Sequence, residues 1–248
     1  MRHEKIDLMS EDVCITELGL LMARTSASSM RRFYSAWGAV SDDRPDGGFT
    51  VAIGDGAIRF VATADDGARP FGHHALLVPG DRFEAARAWL SAQTELLPKP
   101  GSTDPTFVFS DWDALACYAH DPAGNIVELI AHSELCRCAR SGPFEGSELC
   151  GISEIGLVVD DRGAALASLA SAGVELWDGS ADPDGLSFVG SKGRTLILAP
   201  VGRGWWPTGR PSESWPLTAD VSLGEGQTVR VALADGVLSA HVLGNRSA

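Results

Sequence analysis

Glu128 is a carboxylate placed where a carboxylate is hard to keep. It is flanked by Val127 and Leu129 and shares its strand face with Ile126 and Ile130. Left ionised there, it must be paired, hydrogen-bonded or bound to a metal to offset its lost hydration. Just upstream, Asp121, Pro122, Ala123 and Gly124 form a strong turn signal, Pro presetting the backbone and Gly supplying its freedom. The turn puts Tyr118 and His120 on the preceding strand. Tyr118 could orient a substrate oxygen or anchor its hydroxyl at a strand edge. His120 could face solvent or shuttle a proton at the rim of a site.

The elements that must position these residues repeat. Residues 15–22 and 152–159 are close copies, with Glu17 and Glu154 at the same place. Residues 71–78 alternate in the same way, with His73 where the others carry glutamate. A helix is predicted after each. In the first, Met30, Phe33, Tyr34 and Trp37 recur at helical spacing behind Ser26 or Ser28 as N-cap. The second runs from Asp81 through Phe83, Ala86 and Leu90, and the third from Asp161 through Leu166 and Leu169 to Gly173. Short alternating runs follow each helix and read as strands. Residues 202–216 form a loop rich in Gly, Pro and Trp, in which Trp205 and Trp206 read as packing residues or a subunit contact. Beyond it, residues 221–243 read as strands without a helix, a truncated fourth unit.

Composition removes whole classes of function. With 44% hydrophobic and 21% charged residues, the chain is too apolar to be disordered. A net charge of -13 argues against a nucleic-acid partner, which needs clustered Lys and Arg. No apolar run reaches membrane-spanning length, and residues 1–7 lack the apolar core of a secretory signal, so a cytoplasmic location is expected. Cys14 and Cys117 read as small buried hydrophobes. Cys136, Cys138 and Cys150 have the wrong spacing and number for structural zinc and are expected to be free thiols.

Three βαβββ units, together with Tyr118-x-x-Asp121-Pro122-x-Gly124-x-x-x-Glu128, resemble the vicinal-oxygen-chelate superfamily of glyoxalases, bleomycin-resistance proteins and extradiol dioxygenases. The likeness spans about residues 14–199 and is tightest over 73–135. It implies an α+β fold of repeated βαβββ units forming cupped mixed sheets. The first two units are expected to pair as one domain over residues 1–135, carrying the site. A linker follows over 136–150, and residues 151–248 hold the third unit and the C-terminal strands in a structural role.

In that family a divalent metal sits in the cup between paired units, held from the first and last strands of each. On this plan Glu17, Arg59, His73 and Glu128 take the ligand positions. His74 is sent to the opposite face by strand alternation. Arg59 has no lone pair to offer, so the implied metal set is His73, Glu128 and Glu17, suited to Zn, Fe, Mn or Ni. Arg59 and His120 are then left to contact substrate, and Glu128 with Tyr118 to do the chemistry. The third unit has Glu154 at its opening position but Ile197 at its closing one, and reads as architectural. The extradiol signature's upstream histidine is also missing, with Ser110, Asp111 and Asp113 in that region, which disfavours ring cleavage.

The resemblance therefore implies a metal-dependent lyase, isomerase or oxygenase acting on a small molecule with adjacent oxygens. The alternative is a metal-free binding protein of the bleomycin-resistance kind, in which Arg59 or Arg31 neutralises Glu128. A third possibility is a scaffold whose cup is filled by its own side chains. Homodimerisation fits units of this kind, which often pair between chains.

Overall fold

The computed structural model describes residues 13–41, 47–65, 67–180 and 185–243. The segment on which a secretory signal was sought, residues 1–7, lies outside them. Unit one comprises β1 (Val13–Met22), α1 (Ala27–Tyr34), β2 (Val40–Ser41), β3 (Phe49–Ile53) and β4 (Gly56–Ala62). Unit two comprises β5 (His73–Leu77), α2 (Phe83–Ser91), β6 (Leu96–Leu97), β7 (Phe107–Phe109), β8 (Ala114–His120) and β9 (Ile126–His132). Unit three comprises β10 (Gly151–Val159), α3 (Arg162–Ser171), β11 (Leu176–Gly179), β12 (Ser187–Ser191) and β13 (Arg194–Pro200). A hairpin, β14 (Gly204–Trp205) and β15 (Arg210–Pro211), leads to three helix-free strands, β16 (Leu217–Leu223), β17 (Thr228–Ala234) and β18 (Val237–Leu243). The α+β class and the repeated unit are as expected.

The helices form where the apolar spacing places them. Met30 and Tyr34 are buried on α1, Phe83, Ala86 and Leu90 on α2, and Ala165 and Leu169 on α3. Asp161 caps α3 by accepting the Ala164 N–H at 2.9 Å, and Gly173, at φ 88°, ends it. The helices cover one face of the strands in a large apolar core that includes Leu18, Trp37, Phe60, Leu76, Leu129 and Leu198. A smaller apolar cluster on the other face contains Phe71, Ala75, Phe107, Tyr118, Ile126, Ile130 and Trp205.

The pairing of units differs from the expectation. β5 runs antiparallel to β10, with His74 opposite Ile155. β1 runs antiparallel to β16, with Gly19 opposite Thr218. The second unit is thus joined to the third, and the first to the C-terminal strands. The apolar face of β16–β18, with Ala219, Val221, Val229, Val231 and Leu233, is buried in the large core with α3 packed against β18, and the free edge of β16 is taken by β1. Both pairings are made within one chain, so no partner subunit is needed to complete them.

Strand alternation separates the adjacent histidines as expected. His74 turns into the large core, where the Tyr34 hydroxyl lies 3.1 Å from its Nε2 and donates to Asp121 Oδ2 at 3.1 Å. Asp121 also accepts from the Asn125 N–H and side-chain amide, so this buried trio ties α1 to β5 and to the turn before β9. Tyr34→Phe is expected to cost about 1–3 kcal/mol, because His74 and Asp121 each lose a buried partner. A urea midpoint that does not move would show that the hydroxyl is dispensable.

One cysteine expectation is corrected. Cys136 and Cys150, with Cα atoms 6.6 Å apart, form a disulfide across the linker, leaving Cys14, Cys117 and Cys138 free. The linker folds back on Gly80, whose N–H reaches the carbonyls of Leu135 and Cys136, and this brings the two sulfurs together. Among the described residues, no helix is long and apolar enough to cross a membrane.

Candidate metal centre

Three strands deliver three donors to one point. His73 comes from the start of β5, Glu128 from the middle of β9, and Glu154 from β10 beside a bulge between Ile152 and Glu154. All three are buried, and one ligand atom from each lies within 4.8 Å of the others. The His73 Nε2 is 2.9 Å from Glu128 Oε2, so a single proton lies between them. Tyr118 stands directly opposite Glu128 on β8, and its hydroxyl favours the ionised carboxylate. Glu154 has no hydrogen-bond partner among the described residues. The His73 Nδ1 is likewise buried without one.

Burial sets the electrostatics. It pushes Glu128 up to about 8, against the pull of the Tyr118 hydroxyl. It pushes Glu154 up to about 8 as well, aided by the charge of Glu128 and opposed by His73. Burial lowers His73 below the usual histidine value, with Glu154 pulling the other way. The Tyr118 phenol is held well above its ordinary value by burial and then by Glu128. Two carboxyls and a neutral imidazole kept out of water form a set that a divalent cation would satisfy.

Above these groups lies a cavity of about 250 Å³ with aromatic walls. Trp112 is pinned by donating its indole N–H to Asp178 Oδ2 at 2.6 Å, which bridges the rims of units two and three. Trp205 lies over His73 with ring centroids 5.5 Å apart. It fits because residue 156 is glycine: a Cβ there would sit 2.6 Å from Trp205 Cη2 and 3.3 Å from His73 Cβ. Gly156→Ala is therefore expected to displace the indole, costing about 1–3 kcal/mol of stability and red-shifting the tryptophan emission. Unchanged unfolding and emission would mean that the hairpin moves freely.

Known proteins share this architecture. A crystal structure of glyoxalase I from Zea mays superposes with a TM-score of 0.51 at 14% identity, covering 96% of this chain and 95% of that one. A provisionally assigned dioxygenase from Bacillus subtilis gives a TM-score of 0.54 at 13% identity, covering 92% and 84%. The chain thus has the fold of these glyoxalase and dioxygenase-like proteins. A family model described as toxoflavin-degrading enzyme matches residues 152–203, the third unit through to the foot of the hairpin. No curated protein matches the sequence significantly.

Within this fold, His73, Glu128 and Tyr118 come together, but Glu17 and Arg59 do not join them. Glu17 and Arg59 stand in the other half of the sheet, 3.8 Å apart and partly exposed, beside the Asp220–Arg230 pair. Glu154 takes the place expected of Glu17. The third unit thus contributes Glu154 to the cluster, while Ile197 supplies an apolar wall at its closing position. No arginine pairs with Glu128 among the described residues; His73 and Tyr118 are its partners. His120 sits at the end of β8, its Nδ1 3.3 Å from the Asn125 carbonyl oxygen, away from the cavity lining. Glu154, Trp112, Trp205 and Arg203 are the site residues that sequence reasoning passed over. The copy of the Glu17 position was the available signal for Glu154; the two rim tryptophans and Arg203 had none.

Proposed function

We propose that this protein is a metal-dependent enzyme of the vicinal-oxygen-chelate type, acting on a small molecule that presents two neighbouring oxygens. The convergence of His73, Glu128 and Glu154 carries this reading. The residues fit a divalent metal: one imidazole and two carboxylates, buried, with Glu154 unpartnered and no arginine competing for Glu128 among the described residues. Zn, Fe, Mn or Ni would suit such donors, and a bound metal would supply Lewis acidity toward the substrate oxygens.

The chain's own groups have distinct tasks. Tyr118 holds the Glu128 carboxyl in place from the opposite strand. Ile197 closes the remaining side without offering a donor, which leaves room for substrate. Trp205 shields His73 from water. Glu128 or Glu154, both in the cavity lining, would take a proton from the substrate and return it when not fully committed to the metal. The match of the third unit to a model named for a degrading enzyme favours catalysis over simple sequestration.

The deciding measurement is elemental analysis of protein purified without chelators from metal-supplemented cells. Near-stoichiometric transition metal, lost in His73→Ala, is the expected result. Metal near zero in the parent protein would overturn it in favour of a metal-free small-molecule binder.

A further inference from the structure

Arg203 is an unbalanced charge in the cavity lining. It is half-buried, its guanidinium reaches only the Gly204 carbonyl at 3.2 Å, and no carboxylate pairs with it among the described residues. On the metal reading, the two floor carboxylates and a divalent cation cancel, so the cavity carries one positive charge that its own residues do not answer. Such a charge beside apolar walls selects an anion and repels a cation. The walls are rings: Phe109 and Trp112 with centroids 5.7 Å apart, Phe188 set edge-on to Trp112 at 4.7 Å, and Trp206, which is 50% exposed at the mouth. An exposed tryptophan beside a pinned aromatic wall offers a face for stacking. A volume of about 250 Å³ is below that of pockets for drug-sized ligands and suits a molecule of one or two rings.

We propose that the cavity takes a flat aromatic molecule carrying one acidic substituent, with its rings against Phe109, Trp112, Phe188 and Trp206 and its anionic group at Arg203. This deepens the function proposed above and rests on it for the charge balance of the floor.

The test is calorimetric titration of the full-length metal-loaded protein, without oxygen, with three probes that all carry adjacent oxygens: protocatechuate, catechol and glycerate. Protocatechuate is expected to bind about tenfold or more tightly than either of the others, since only it has both the ring and the acid. Arg203→Gln should bring protocatechuate down to the level of catechol while leaving catechol affinity and metal content unchanged. Trp206→Ala should weaken both aromatic probes and spare glycerate. Equal binding of protocatechuate and catechol by the parent protein, or a gap that survives Arg203→Gln, would overturn the proposal. Metal content measured on the same samples separates the two readings. Metal present without probe preference defeats this proposal alone, whereas probe preference in protein that takes up no metal defeats the metal reading and leaves the ligand class standing.

Discussion

Glu154→Ala is expected to weaken divalent-metal binding by roughly a hundredfold or more, while Glu17→Ala leaves it unchanged. The two glutamates occupy the same place in copied sequence segments, yet only one points at the imidazole. Glu154 lies on the strand paired with β5, in reach of His73 and Glu128. Glu17 lies on the strand paired with β16, partly exposed and next to Arg59. Removing Glu154 leaves one imidazole and one carboxylate, too few to compete with water and buffer for the ion. Competition against a chromophoric chelator reads both affinities. Loss of binding in the Glu17 variant, with the Glu154 variant intact, would move the centre to the other half of the molecule.

Metal-free protein is expected to lose stability as pH rises from about 6.5 to 8, the reverse of ordinary acid denaturation. Glu128 and Glu154 rise from the ordinary glutamate value of 4.5 to about 8 on folding, so above 4.5 the unfolded chain gives up protons that the native chain retains. Stability contributed by the protonated carboxyls is therefore full below about 4.5 and is lost as pH climbs through 8. His73, His74 and His132 have lowered values and act in the opposite sense, but only below their ordinary 6.5. Between 6.5 and 8 the carboxyls act alone among these groups, and the loss is about 1–2 kcal/mol for each. Urea unfolding at pH 6.5 and 8, with chelator present, measures it. Glu128→Gln with Glu154→Gln should flatten the slope, and excess metal should remove it by holding both groups ionised. A flat profile in the parent protein would mean that the carboxyls are already charged in the metal-free fold.

Much of this was legible from local pattern. The βαβββ repeat, the turn at Asp121–Gly124, the faces taken by His73, His74 and Glu128, and the helices of each unit follow from spacing and alternation, and the structure has them all. Unit pairing was not legible, because β1, β5 and β10 carry similar alternating sequences and any two could share an edge. That choice decided which glutamate faced His73, so a correct reading of the three opening strands still produced Glu17 in place of Glu154. Arg59 was given to Glu128 for the same reason. The tryptophan-rich loop looked like generic packing; its position over the cavity depends on Gly156, a contact between residues about 50 apart in sequence. The disulfide was hidden because spacing shows neither which thiols approach nor how the linker folds back.

The interleaved pairing also bears on how the molecule can come to be folded. Units two and three meet through β5 and β10, whose paired residues Leu76 and Ile152 are 76 apart in sequence, and their cavity can close from nearer parts of the chain. The outer pairing is different: the Thr16 hydroxyl bonds the carbonyl of Asp220, 204 residues away. The edge of β1 must stay open until β16 arrives, and closing so long a loop comes before any reward from the contacts. The inner cavity is thus the natural early structure and the outer seam the late one. In the interval β1 keeps an open edge on which a second chain could pair.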